Sequence, residues 1–177
     1  IAEGEVMQLI NCGNPDTTKE QCLEVIYRKT AKLFESDATI GAVLAGQSNK
    51  IEASLNIFGQ EMGMAYQLID DALDYSSSYE MMGKEVGDDL SEGKPTLPLI
   101  YALERANPEM QMIIRDAITK KDASHSNKII DCIEQTGSLA LTESKARESS
   151  KKAIDSLKQL PNNQYREALS LIHISEP

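Results

Sequence analysis

The feature that most restricts the fold is a long run of apolar residues at helical spacing. From Asn49 to about Tyr75, the residues Ile51, Leu55, Phe58, Met62, Ile69 and Leu73 step by threes and fours, with Ala65 filling the one gap. That period belongs to a helix with one buried stripe, not to a strand. A helix this long needs partners to cover it, and the rest of the chain can supply only helices. Aromatic residues make up 5% of the sequence and Trp is absent, while Ala, Leu, Ile, Glu and Lys abound. Such a composition favours helix. One all-α unit is expected, and 41% hydrophobic residues are enough to give it a core.

Local signals divide the remainder. Thr17 and Glu20 have the spacing of a capping box before a helix through Val25, Ile26, Leu33 and Phe34. The Gly- and Ala-rich stretch Gly41 to Gly46 reads as a tightly packed helix. Ser76 to Lys94, with Gly83, Gly87 and Gly93, reads as a loop. Pro95 and Pro98 suit the start of a helix through Leu99, Ile100 and Leu103, which stops near Asn107-Pro108. Shorter helices follow over Met110 to Ile118, Asn127 to Thr136 (ended by Gly137) and Leu139 to Leu160 (stopped by Pro161). The chain shows no repeat and no flexible linker.

The formal net charge of -10 argues against nucleic acid or anionic lipid as a partner. An anionic small molecule would need a metal ion and a few focused cations. Cys12, Cys22 and Cys132 lack zinc spacing and read as reduced thiols. His125 and His173 are isolated. No apolar run reaches transmembrane length.

The chemistry concentrates at the end of the long helix. Gly63, Gln67, Asp70 and Asp74 follow at steps of four, three and four and share a face. Asp71 is displaced by about 100°. Carboxylates one turn apart repel unless a cation lies between them. Magnesium suits few carboxylates completed by waters and phosphate oxygens. Gly63 is expected to leave room there for a ligand. A solvated acidic face would show the same pattern. Apolar neighbours and a following glycine-rich loop favour a site instead. That loop carries Lys84 and Lys94, which can reach a diphosphate as point charges. Asp88 and Asp89 would hold the lysines, support a metal, or simply keep the loop soluble.

Taken together, these motifs resemble the second aspartate-rich region of the trans-isoprenyl diphosphate synthases. The matching residues are Tyr66-Gln67, Asp70-Asp71-x-x-Asp74, Gly83-Lys84, Gly87-Asp88-Asp89-Leu90 and Glu92-Gly93-Lys94-Pro95-Thr96-Leu97-Pro98. Upstream, Gly4-Glu5-Val6-Met7-Gln8-Leu9 and Lys29-Thr30-Ala31-Lys32-Leu33-Phe34 match in the right order. The tail through Pro161 and Tyr165-Arg166-Glu167-Ala168 is similar to the bacterial octaprenyl branch of that family.

The resemblance implies an isoprenoid synthase-type antiparallel helical bundle, present in part. Residues 1–170 would be the C-terminal part of that domain and 171–177 an atypical tail. The implied reaction joins isopentenyl diphosphate head to tail to an allylic prenyl diphosphate, with an octaprenyl chain for quinone side chains as the product. Asp70, Asp71 and Asp74 would hold Mg2+; Lys29, Lys84 and Lys94 would bind diphosphate; Lys29, Thr30 and Gln67 would act at the allylic cation. A cytoplasmic homodimer with a membrane-soluble product is implied as well. The family's first aspartate-rich motif is not in the sequence, so a fragment without activity of its own is expected, with Ile51, Leu55, Phe58 and Met62 left uncovered. A non-catalytic partner subunit is the alternative. The terpene cyclases share the fold, but Asp74 and Ser78 stand where their second metal motif has Ser or Thr and Glu.

Overall fold

Helices account for every regular element among the described residues, as the spacing of apolar side chains requires. The computed structural model describes residues 1–76 and 87–171. Its elements are α1 (Ala2–Asn11), α2 (Lys19–Ile26), a π turn (Tyr27–Ala31), α3 (Lys32–Leu44), α4 (Asn49–Leu73), α5 (Asp88–Ser91), α6 (Leu97–Arg105), α7 (Pro108–Lys120), α8 (Ser126–Gln135), α9 (Ser138–Ser156), a 3-10 turn (Leu157–Gln159) and α10 (Gln164–Leu171). The π turn continues directly from α2 into α3, so the three form one interrupted helix.

The long periodic run is α4, and it lies between α3 and α9. On the α9 side, Ser54 donates to the Ser156 carbonyl, Phe58 packs with Ala153 and Leu157, and Leu68 with Ala146. The pairing descends along α9 as it climbs α4, so the two helices are antiparallel. Leu55 and Met62 join the same cluster. Of the stripe expected to stand open, Phe58 is therefore buried and Leu55 and Met62 partly buried within the chain, against Ala153 of α9 and Leu157 just beyond it. On the other side, Asn56 reaches Glu35 and Thr39 while Gln67 meets Thr30, so α3 is antiparallel as well. The short connection Ala45 to Ser48 permits this.

A second group of helices closes the aspartate end of α4. Tyr75, Leu90 and Leu99 join Ile114, Ile118, Ile129 and Ile133 in one buried cluster. Leu90 anchors α5, a short helix inside what reads from sequence as a plain loop. Residues 77–86, with Gly83 and Lys84, and residues 172–177 of the tail lie outside the described residues.

Two further expectations shift. The capping box belongs to Thr18 and Gln21, which bond each other's backbone at 3.2 and 2.9 Å. Thr17 instead turns inward and donates to the Asn14 carbonyl, at 2.9 Å. Two adjacent threonines made the register ambiguous. Gly41 to Gly46 is packed only at Ala42. It is the exposed end of α3, with Val43 and Leu44 at the surface and Gly46 left-handed beyond the helix. Among the described residues no helix is long and apolar enough to cross a membrane.

Candidate functional site

The site forms where the π turn is pressed between two glycines. An α-helix that takes in one extra residue bulges, and its backbone carbonyls and side chains point where a regular helix would not send them. The turn carries Lys29 and Thr30 at its bulge. From one side comes α1, whose Gly4 sits against the Lys29 backbone so closely that any Cβ would strike it. From the other comes α4, where a Cβ on Gly63 would lie 2.5 Å from the Ala31 Cα. The space at Gly63, expected to admit a ligand, is filled by the π turn.

Each glycine is followed four residues later by a glutamine that closes on the same turn. Gln8 accepts a hydrogen bond from Lys29 Nζ at 2.6 Å, and Glu5 stands 3.3 Å from the same ammonium. Thr30 Oγ1 donates to Gln67 Oε1 at 2.9 Å. The Gln67 amide donates onward to Asp71 at 2.9 Å and Asp70 at 3.2 Å. Those two bonds fix which end of the Gln67 amide faces Thr30, since ionised carboxylates can only accept.

Lys29, Thr30, Gln67, Asp70, Asp71, Asp89 and Lys94 line one cavity of about 210 Å³ together with Gln8, Asn11, Thr17 and the apolar side chains of Val25 and Ile26. The sequence-derived candidates Lys29, Thr30, Gln67, Asp70, Asp71 and Lys94 thus meet in one place. Asp74 is not among the lining residues. It is buried at the C-terminus of α4, where its carboxylate accepts the Asp89 amide at 3.1 Å and its carbonyl accepts the Gly87 amide at 3.0 Å. Lys94 bonds Asp89 at 2.8 Å and Glu92 at 2.7 Å. Lys84 lies outside the described residues.

The carboxylates are short of positive charge. Burial pushes Asp71 up to about 7; the neighbouring Asp89 and Asp70 add to the rise, while the Gln67 bond and Lys94 oppose it. Burial pushes Asp74 up to about 6, again with help from Asp89. Burial works against the charged form of Lys94, but its bonds to Asp89 and Glu92 outweigh that and raise it. Among the described residues no three carboxylates, histidines or cysteines converge into a metal cage. An all-oxygen, carboxylate-rich wall fits a hard divalent ion that takes few protein ligands and completes its shell from water and phosphate.

Sequence reasoning finds the aspartates but not their frame. The available signal is the twofold Gly-x-x-x-Gln spacing, at Gly4/Gln8 and Gly63/Gln67. Each places a missing Cβ one turn before a polar side chain. Thr17 and Cys22, also on the wall, carry no signal of that kind.

The chain has relatives among known proteins. Residues 1–136 match the model of the polyprenyl synthetase family. The chain is 46% identical over 177 residues to the octaprenyl diphosphate synthase of Escherichia coli K12, covering 99% of this chain and 55% of that protein. It is 41% identical over 169 residues to the all-trans-nonaprenyl-diphosphate synthase (geranyl-diphosphate specific) of Rhodobacter capsulatus, covering 96% of this chain and 52% of that one. The chain thus spans about half the length of these relatives. Among solved structures, the polyprenyl synthase of Caulobacter crescentus CB15, complexed with calcium and isoprenyl diphosphate, superposes with a TM-score of 0.89 at 37% identity, over 96% of this chain and 52% of that one.

Proposed function

Since the chain belongs to the polyprenyl synthetase family, we propose that it forms the diphosphate-binding half of a trans-prenyltransferase site. The reaction joins isopentenyl diphosphate head to tail to an allylic prenyl diphosphate. The observation that carries this reading is the chain of bonds from Thr30 through Gln67 to Asp70 and Asp71, beside the Lys29 ammonium, in a single cavity.

Each residue has a derivable task. Lys29 offers its ammonium to the departing diphosphate, with Gln8 and Glu5 keeping it aimed. The Gln67 amide is locked by its two aspartates, so its oxygen stays toward Thr30. Thr30 and Gln67 oxygens lie ready for the positive charge that develops on the allylic carbon, a preorganised effect. Val25 and Ile26 keep an apolar wall beside that carbon, which limits attack by water. Asp89 and Glu92 hold Lys94 at the cavity edge, within reach of a diphosphate. Asp70 and Asp71, with Asp74 behind them, would hold Mg2+; when bound it neutralises the diphosphate and makes it a better leaving group.

The product length we favour is octaprenyl, supported by the identity to the E. coli enzyme. Exposed apolar residues on α1 and α3 (Val6, Leu9, Ile10, Ile40, Val43 and Leu44) support further covering helices or a homodimer. The cytoplasm is the place the family resemblance implies; the helical part, drawn from sequence to end at residue 170, runs through Leu171 at the end of α10.

The test is a chimera. Residues 1–177 replace the matching part of the E. coli octaprenyl diphosphate synthase, and the product is incubated with farnesyl diphosphate, isopentenyl diphosphate and magnesium. Chain elongation is expected, and Lys29→Ala should reduce it by about a hundredfold or more, the usual cost of losing one group that stabilises developing charge. A chimera with a native helical spectrum and no elongation would overturn the reading.

A further inference from the structure

One helical turn beyond the π turn, outside the cavity lining, α3 carries a buried polar group unused by the mechanism above. Glu35 is 7% exposed. Its carboxylate accepts the Tyr27 hydroxyl at 2.8 Å, the Lys32 ammonium at 2.5 Å and the Asn56 amide of α4 at 3.0 Å. Asn56 also donates to Thr39 Oγ1 at 3.2 Å.

The pairing of Tyr27 with Glu35 depends on the bulge. In an uninterrupted α-helix each residue turns about 100°, so two side chains eight positions apart diverge by about 80°. A π turn absorbs one extra residue. The pair is then separated by seven effective steps, and the divergence falls to about 20°. Tyr27 begins the turn and Glu35 lies one helical turn past its end. Their bond therefore spans the bulge and is favoured only when the bulge is present. Asn56 ties the same carboxylate to α4, the helix that holds Gln67.

We propose that Glu35, with Tyr27 and Asn56, is a positioning group that locks the π turn in register and so aims Lys29 and Thr30 into the cavity. This rests on the reading of the cavity as a diphosphate site. The glycines at 4 and 63 make room for the bulge; the lock makes it preferable to a regular helix. A regular helix from α2 into α3 would rotate Lys29 by about 100° relative to α3, taking its ammonium away from Gln8.

The test uses the 177-residue chain with two readouts. One is the affinity for inorganic diphosphate with magnesium, by calorimetry; the other is amide hydrogen exchange over residues 27–32. Tyr27→Phe and Glu35→Gln should each weaken diphosphate binding about threefold to tenfold, as loss of a bond to a buried charge does, and each should speed exchange in the turn. The double variant Tyr27→Phe/Glu35→Gln removes both ends of the bond that spans the bulge. It should weaken binding no more than the worse of the two single variants, because the two groups act as one unit. Ser54→Ala, which breaks a buried bond on the α9 side of α4, should lower the melting temperature and leave diphosphate affinity unchanged. If the unaltered chain binds diphosphate and both single variants bind it equally tightly, the lock is overturned while the site survives. If the unaltered chain binds none, the site reading fails, and unchanged exchange in the variants would then remove the lock too.

Discussion

The two faces of α4 are built on different principles. Toward α9 the contact is made by side chains: Phe58, Leu55 and Met62 fill the space over Ala153 and Leu157. Toward α3 it is made by the lack of them. Gly63 admits the backbone of Ala31, and polar side chains at Asn56 and Gln67 bond across the seam. The first face contributes stability through burial. The second gives up burial to bring backbone close, and the close approach is what sets Thr30 against Gln67. Stability and geometry are thus separable along a single helix, and substitutions can test that separation.

The largest effect should come from the apolar face. Phe58→Ala removes a ring that is 8% exposed. It should cost about 3–5 kcal/mol, the usual loss for a buried Phe truncated to Ala. Urea denaturation will measure it. Diphosphate affinity of the molecules that remain folded should change less than about twofold, as expected for sites that share no partners. A large loss of affinity would show that the faces are coupled.

Gly63→Ala comes next. The new methyl would lie 2.5 Å from the Ala31 Cα and 3.0 Å from its Cβ, so backbone has to shift to admit it. A loss of about 1–3 kcal/mol is expected, typical of overpacking. Here diphosphate affinity should fall with stability, because the π turn must move. Full affinity in a destabilised Gly63→Ala would mean that the close approach serves packing alone.

This contrast also explains what was legible in the sequence. The all-α class, the limits of α4 and the aspartates stand out because period, proline and charge are local signals. Asp70, Asp71, Gln67 and Lys94 are found from spacing and resemblance. The π turn is not, because Tyr27 to Ala31 has the composition of an ordinary helix, and the glycines that make room for it, at 4 and 63, are distant in sequence. Coverage of Phe58 by α9 is missed for a related reason. Ala153 and Ser149 look too small to be a partner face, yet small residues allow α9 its close approach. Asp74 shares a helical face with Asp70 on paper, but it ends the helix and turns to the Asp89 amide.

A smaller effect should appear in pH dependence at the seam. Burial pushes the Glu35 carboxyl up, yet the hydrogen bonds from Lys32, Tyr27 and Asn56 outweigh it and hold the group below its ordinary 4.5. A depressed value stabilises the fold above the unfolded value, and that contribution disappears as pH falls through the folded one. The melting-temperature gap between the unaltered chain and Glu35→Gln should therefore be constant from neutral pH down toward 4.5 and narrow below it. A gap that persists in acid would mean that the ion itself adds nothing to the seam.

The smallest effect reverses the sign of an identical substitution. Gly41 lies in the last turns of α3, and a Cβ built there meets nothing within 4 Å. Alanine loses less backbone freedom on folding than glycine, so Gly41→Ala should stabilise the chain by about 0.5–1 kcal/mol. For a chain of this size that is an increase of about 1–4 °C in melting temperature. The same methyl that harms at position 63 should help at position 41, since one glycine faces backbone and the other faces solvent. The neighbouring Ile40, Val43 and Leu44 are themselves exposed, at 53, 54 and 82%. If Gly41→Ala instead lowers the melting temperature, and does so more strongly at high protein concentration, this end of α3 is packed in solution against another copy. The contrast between the two glycines would then be one between two contacts, not between a contact and open surface.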